Sequence, residues 1–167
     1  MQKVNQLNNL VTKEELNNLI QKLVQIPSTP DADGYETKVA EYIHQYFMDE
    51  GIETELVDIK DGRPNVIARI EGTGEGPTLM LTGHMDTVPA YDMDIDPFKG
   101  EIKDGKLYGR GAVDMKGPLA AMILSLVAIK RSDITLKGDL LFVGVIEEEY
   151  KSFGTEYLVK NGPDADA

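Results

Sequence analysis

Three short stretches hold the side chains that could do chemistry: His84-Met85-Asp86, Asp114 between Gly109 and Gly117, and Glu147-Glu148-Glu149. The first follows Leu79-Met80-Leu81, so a run that reads as a buried strand ends in an imidazole and a carboxylate two residues apart. In extended chain, residues i and i+2 project to the same side, which lets Asp86 reach the His84 ring. A carboxylate accepting one ring N–H fixes the tautomer and leaves the other nitrogen free for a metal. The same spacing also suits a hydrogen-bonded pair with no further role.

The second stretch resembles two phosphate-binding loops and fits neither. Gly109 and Gly111 could begin a dinucleotide fingerprint, but Asp114 stands where the third glycine belongs, and an acid there repels a pyrophosphate. The phosphate loop ending in Gly-Lys-Ser/Thr is missing as well. Local context makes Asp114 an N-cap for the helix that follows. In the third stretch, adjacent carboxylates at the end of a core strand raise one another's pKa unless a cation compensates. Strict alternation would send Glu148 and Glu149 to opposite faces; both serve one site only if the chain turns there.

One histidine and several carboxylates, with no cysteine in the chain, suit zinc, cobalt or manganese in hydrolytic work. Serine-hydrolase chemistry fares worse, because no Gly-x-Ser-x-Gly elbow exists. The other histidine, His44, lies beside the apolar stripe of a helix and reads as structural.

Elements must bring these residues together. Glu14 to Val24 is a helix with Leu16, Ile20 and Leu23 on one face, Thr12 as N-cap and Glu15 as its capping-box partner. A second amphipathic helix spans about Tyr35 to Met48, with Val39, Ile43 and Phe47 in its stripe and Gly51 as its stop. Strands follow at Thr54 to Ile59, Asn65 to Ile70 and Thr78 to Leu81, and Asp104-Gly105 marks a tight hairpin between Ile102 and Tyr108. Pro118 opens an apolar helix that runs to Ile129. Leu140 to Ile146 is a continuous apolar run, a strand covered on both faces, and Ser152 to Lys160 is a last helix. This order predicts an α/β fold: a three-layer αβα domain with a mixed, mostly parallel sheet.

A chain of 167 residues fits one domain. Its 29 acidic against 17 basic residues, net charge −12, argue against sequence-independent binding of nucleic acid. The N-terminal residues form no apolar signal-type run, and Pro118 to Ile129 is too short to span a bilayer. The default expectation is a cytoplasmic protein with no membrane partner.

Three segments, Leu81 to Pro89, Leu107 to Met122 and Glu147 to Thr155, resemble in order and spacing a known family. It is the co-catalytic zinc metallopeptidase and deacylase family of aminoacylase, acetylornithine deacetylase, succinyl-diaminopimelate desuccinylase and carboxypeptidase G. Ile26-Pro27-Ser28, Asn65-Val66-Ile67-Ala68 and Asp96-Pro97-Phe98 extend the likeness over most of the chain. The resemblance implies two divalent metal ions, zinc or alternatively cobalt or manganese. His84 would bind one, Asp114 would bridge both, and Glu149 would bind the other. Asp86 would orient His84, Glu148 would be the general base, and Glu147 would fall outside the site. A cis peptide after Asp114 is also implied. Lys151 departs from the glycine often found at its position.

The implied activity is amide hydrolysis of small N-acyl amino acids or short peptides. Family members run to roughly twice this length, so residues 1–167 are expected to be the N-terminal portion of the catalytic domain. The lid and dimerisation domain would be absent, as would a further carboxylate and a histidine ligand. A homodimer is expected only for a form with that lid. Two other readings stand beside the hydrolase: a non-catalytic metal-binding module, and an interaction subunit completed by a second chain.

Overall fold

A computed structural model describes Leu7 and residues 9–167. Residues 1–6 and Asn8, which carry part of the N-terminal stretch with no signal-type run, lie outside the described residues. Helix α1 (Lys13–Gln25) opens with the expected capping box: the Thr12 hydroxyl accepts Glu15 N–H at 3.0 Å, and the Glu15 carboxylate accepts Thr12 N–H at 2.7 Å. Helix α2 (Thr37–Asp49) buries Val39, Ala40, Ile43 and Phe47 and ends at Gly51, whose φ of 66° lets the chain reverse.

Strands β1 (Glu53–Lys60) and β2 (Arg63–Ile70) form a hairpin closed by Asp61 and Gly62, both at positive φ. Next come β3 (Leu79–His84) and the small hairpin β4 (Glu101–Lys103) and β5 (Lys106–Tyr108). Helix α3 (Gly117–Lys130), β6 (Leu140–Val145) and α4 (Phe153–Asn161) complete the chain. Taken as one span, Ala112–Lys130 is apolar and long enough to cross a bilayer. Its backbone is kinked at Asp114 and Met115, however, and Leu119, Ile123, Leu126 and Val127 are buried in the core, as in the central helix of a globular domain.

The main sheet has the order β1-β2-β6-β3. It is mixed, as expected, but only β3 and β6 run parallel among the described strands; β1–β2 and β2–β6 are antiparallel. The expected parallel majority is therefore corrected. A two-residue turn can join only antiparallel neighbours. The continuous apolar run of β6 reflects cover on both faces rather than parallel partners on both sides.

On one face, Val66, Ala68, Leu140 and Phe142 pack with α1, α2 and α3, and the rings of Phe47 and Phe142 lie 5.2 Å apart. Helix α4 covers part of the other face, near β1 and β6, giving the three layers. One consequence matters for the site. Because β3 and β6 are parallel while β2 opposes β6, the C-terminal ends of β3 and β6 and the start of β2 meet at one edge of the sheet.

Candidate metal centre

His84 is the last residue of β3 and pairs in register with Val145, the last residue of β6. The three glutamates leave β6 from the next strand over. Asp114 arrives from a wide turn, Ala112–Lys116, that precedes α3. Gly111, at φ 78°, makes that approach possible, since a Cβ there would meet Thr87 Cγ2 at 2.6 Å.

The Asp114–Met115 peptide is cis, as the resemblance implied. The expected N-cap role of Asp114 is not seen. Asp114 has extended φ and ψ of −121° and 99°, and α3 starts without a side-chain cap. A cap must precede the first helical turn directly, and two further residues separate Asp114 from it. Its carboxylate instead lies 3.0 Å from His84 Nε2.

The chain does turn after β6. Glu147 takes a left-handed φ of 57°, and residues 148–150 form a tight turn closed by Ser152 N–H donating to the Glu147 carbonyl at 2.7 Å. Glu148 and Glu149 thereby come to the same edge. Atoms of His84, Asp114 and Glu149 that can ligate a cation all lie within 4.8 Å of one another. Glu148 stands beside them, with its carboxylate 3.9 Å from His84 Nε2. Glu147 turns away toward Arg63.

The second atom of His84 is also committed. Nδ1 lies 3.0 Å from the backbone carbonyl of Asp86 and 3.5 Å from its carboxylate. That leaves Nε2 aimed at Asp114. The Asp86 carboxylate has a second task that the sequence did not suggest. Its two oxygens accept the backbone N–H groups of Glu148 and Glu149, each at 3.0 Å.

Charge at the centre is unbalanced. Burial pushes the Glu149 carboxyl up, opposed by His84 and reinforced by Asp114, Asp86 and Glu148. Burial would depress the His84 imidazolium, but hydrogen bonds to Asp86 and Asp114 outweigh it and push the group up to about 9. One imidazole among four acids, drawn together at a strand edge, is the donor chemistry of a hard or borderline divalent cation. The residues present fit such an ion.

Two buried polar residues behind the centre were not singled out in the sequence. Lys116 is fully enclosed, donates from Nζ to the Ile26 carbonyl at 2.7 Å, and is pushed by burial down to about 7. Arg63 is nearly buried and pairs with Glu36 at 2.7 Å and Glu147 at 3.3 Å. The available signals were a charged residue at a strand start and Glu36 placed against an apolar stripe, both of which also describe surface positions. His44 lies away from the centre, 3.3 Å from the Thr54 hydroxyl, in the structural role expected of it.

Residues 80–167, more than half of the chain, match the model of peptidase family M20/M25/M40. The chain belongs to this family. A probable succinyl-diaminopimelate desuccinylase of Staphylococcus epidermidis is 33% identical over 156 residues, covering 92% of this chain and 37% of its own length. An N-formyl-4-amino-5-aminomethyl-2-methylpyrimidine deformylase of Halalkalibacterium halodurans is 35% identical over 160 residues, with the same coverage of 92% and 37%. A di-peptidase of Saccharomyces cerevisiae superposes with a TM-score of 0.77 at 25% identity, over 93% of this chain and 36% of that one. The chain thus spans little more than a third of the length of these relatives. Family M20 members are metal-dependent hydrolases of peptidase and deacylase type.

Proposed function

We propose that this chain supplies the metal-binding half of a hydrolase that cleaves the amide bond of small N-acyl amino acids or short peptides. The observation that carries the reading is the convergence of His84, Asp114 and Glu149 within 4.8 Å, with Glu148 at their side. His84 and Glu149 would each hold one of two divalent ions, of which zinc suits the nitrogen and oxygen donors best, and Asp114 would bridge both. When bound, such ions acidify water and polarise an acyl carbonyl.

The chain's own residues do the rest. Glu148, half exposed beside the donors, takes a proton from the attacking water as the new C–O bond forms. It returns that proton to the amide nitrogen as the C–N bond breaks, so the amine leaves neutral. Asp86 fixes both sides of the site, holding the ring of His84 through its carbonyl and the backbone of Glu148 and Glu149 through its carboxylate. A cytoplasmic setting and a small-molecule substrate, with neither nucleic acid nor membrane as partner, complete the reading.

Three donors hold one ion with an open position, and a second ion needs more ligands than the described residues bring to this edge. This segment by itself is therefore expected to bind metal weakly and to turn over little. Isothermal titration with zinc or cobalt, with assays on a panel of N-acyl amino acids and dipeptides, tests the proposal. Glu148→Gln should keep metal binding and lower hydrolysis by the longer protein about 100-fold or more. Unchanged hydrolysis in that variant would remove Glu148 from the reaction, whereas metal binding with no hydrolysis by either form would point to a non-catalytic metal-binding module.

A further inference from the structure

The turn that carries Glu148 and Glu149 is held from behind by residues that touch neither the donors nor any reacting atom. Arg63 sits at the start of β2, at the same sheet edge as the centre. One guanidinium nitrogen donates to Glu36 at 2.7 Å and the other to Glu147 at 3.3 Å, while the group stacks 4.2 Å over the ring of Tyr35. Two residues along β2, on the same face, Asn65 closes the base of the turn. Its Oδ1 accepts Ile146 N–H and its Nδ2 donates to the Gly154 carbonyl, both at 3.0 Å.

Glu36 is fully enclosed, and Arg63 is 8% exposed. A buried ion pair of this kind contributes little net stability, since desolvation offsets most of the attraction, and in some proteins such a pair instead fixes the conformation around it. Glu147, the partner reached by the free end of Arg63, holds a left-handed φ of 57° that a non-glycine residue adopts only when its surroundings enforce it. That rotation separates Glu147 from Glu148 and Glu149, sending one acid inward to Arg63 and the others to the centre.

We propose that Arg63, anchored by Glu36, is a positioning residue that sets the Glu148–Glu149 turn by gripping Glu147. This deepens the metal-hydrolase reading and rests on it for its functional consequence, though not for its structural one.

The test compares Glu147→Gln, Arg63→Lys and Arg63→Met with the parent chain. Glu147→Gln leaves the Glu36–Arg63 pair intact, so it remains informative if Arg63→Met fails to fold. In the metal-free chain, amide exchange at Glu148 and Glu149 should rise about tenfold or more in Glu147→Gln while β6 stays protected. Cobalt affinity should fall roughly 10- to 100-fold, with a shifted visible band. Arg63→Lys should recover part of both effects. In the Arg63→Met/Glu147→Gln double variant, the losses should not multiply, because both variants remove the same Arg63–Glu147 contact. Arg131→Met serves as a distant control that lowers stability without touching the turn.

Unchanged exchange at Glu148 and Glu149, or losses that multiply in the double variant, would overturn the proposal. A different result, full cobalt binding in His84→Ala, would sink the metal reading; the exchange data would still decide what Arg63 does.

Discussion

The two oxygens of Asp86 each lie 3.0 Å from a backbone nitrogen, one that of Glu148 and the other that of Glu149. A single carboxylate thus ties the end of β3 to the turn after β6, two strands that are parallel neighbours. The bond to Glu148 and the bond to Glu149 need two acceptor oxygens at once. Asp86→Asn has the same shape but offers one, and turns an NH2 group against the other N–H. Leaving a buried donor unmet costs about 1–3 kcal/mol, and these part-buried N–H groups fall at the lower end of that range. The variant should fold with a lowered melting temperature and bind cobalt about tenfold more weakly. Parent-like affinity would mean that the turn holds itself.

Direct donors should behave more sharply. His84→Ala and Asp114→Asn each remove a primary ligand from a set of three, so cobalt binding should be lost from the range accessible to calorimetry. His44→Ala, 3.3 Å from Thr54 and remote from the centre, should leave binding intact. Equal losses in His44→Ala would place the ion somewhere else.

The elements were legible because their signals are local. Thr12 and Glu15 announce a helix start, Asp61-Gly62 and Asp104-Gly105 announce hairpins, and the Leu140 run announces a covered strand. Sheet order was not, because β2 meets β6 across more than seventy residues and nothing in either strand encodes its neighbour. At the site, the residue types pointed to a metal, but the turn at Glu147 depends on Arg63, which lies 84 positions away. Asp114 was ambiguous for a similar reason. Its neighbours in sequence suit a helix cap, and its partner His84 is visible only once β3 and the turn before α3 are folded together.

Arg131 joins three elements at the opposite end of α3. It donates to Glu50 at 2.6 and 3.0 Å, to Glu15 at 2.7 Å and to the Leu10 carbonyl at 2.9 Å. Its hydrogen bond, ahead of the bond from Thr12, holds the Glu15 carboxyl below its usual 4.5. A lowered carboxyl stabilises the fold above its usual value, and that contribution is lost as pH falls through the lowered one. The group is about one third exposed, so solvent screening keeps the effect small. Arg131→Met should lower the melting temperature at pH 7 by about 3 °C, since partly exposed pairs contribute roughly 1 kcal/mol together. The gap between variant and parent should narrow below pH 4.5, where the parent loses its Glu15 contribution. A gap that is constant from pH 7 to pH 3 would show that Arg131 acts through packing.

Two glycines near the centre should respond differently to the same added methyl. At Gly154 a Cβ would lie 2.4 Å from Ile146 N and 2.6 Å from Asn65 Oδ1, a backbone atom and a side chain already bonded on both sides. Neither can yield without opening the base of the Glu148 turn. At Gly83 the nearest atoms are Met115 Cε at 2.7 Å and Met122 Cε at 2.9 Å, the free ends of flexible side chains. Gly154→Ala should therefore cost about 3 kcal/mol, whereas Gly83→Ala should cost less than about 1.5 kcal/mol because methionine repacks easily. Denaturant titration of both variants measures the difference directly. If Gly154→Ala were the milder of the two, the turn would have more freedom than its contacts with Asn65 allow, and the rigidity assigned to this edge of the sheet would be misplaced.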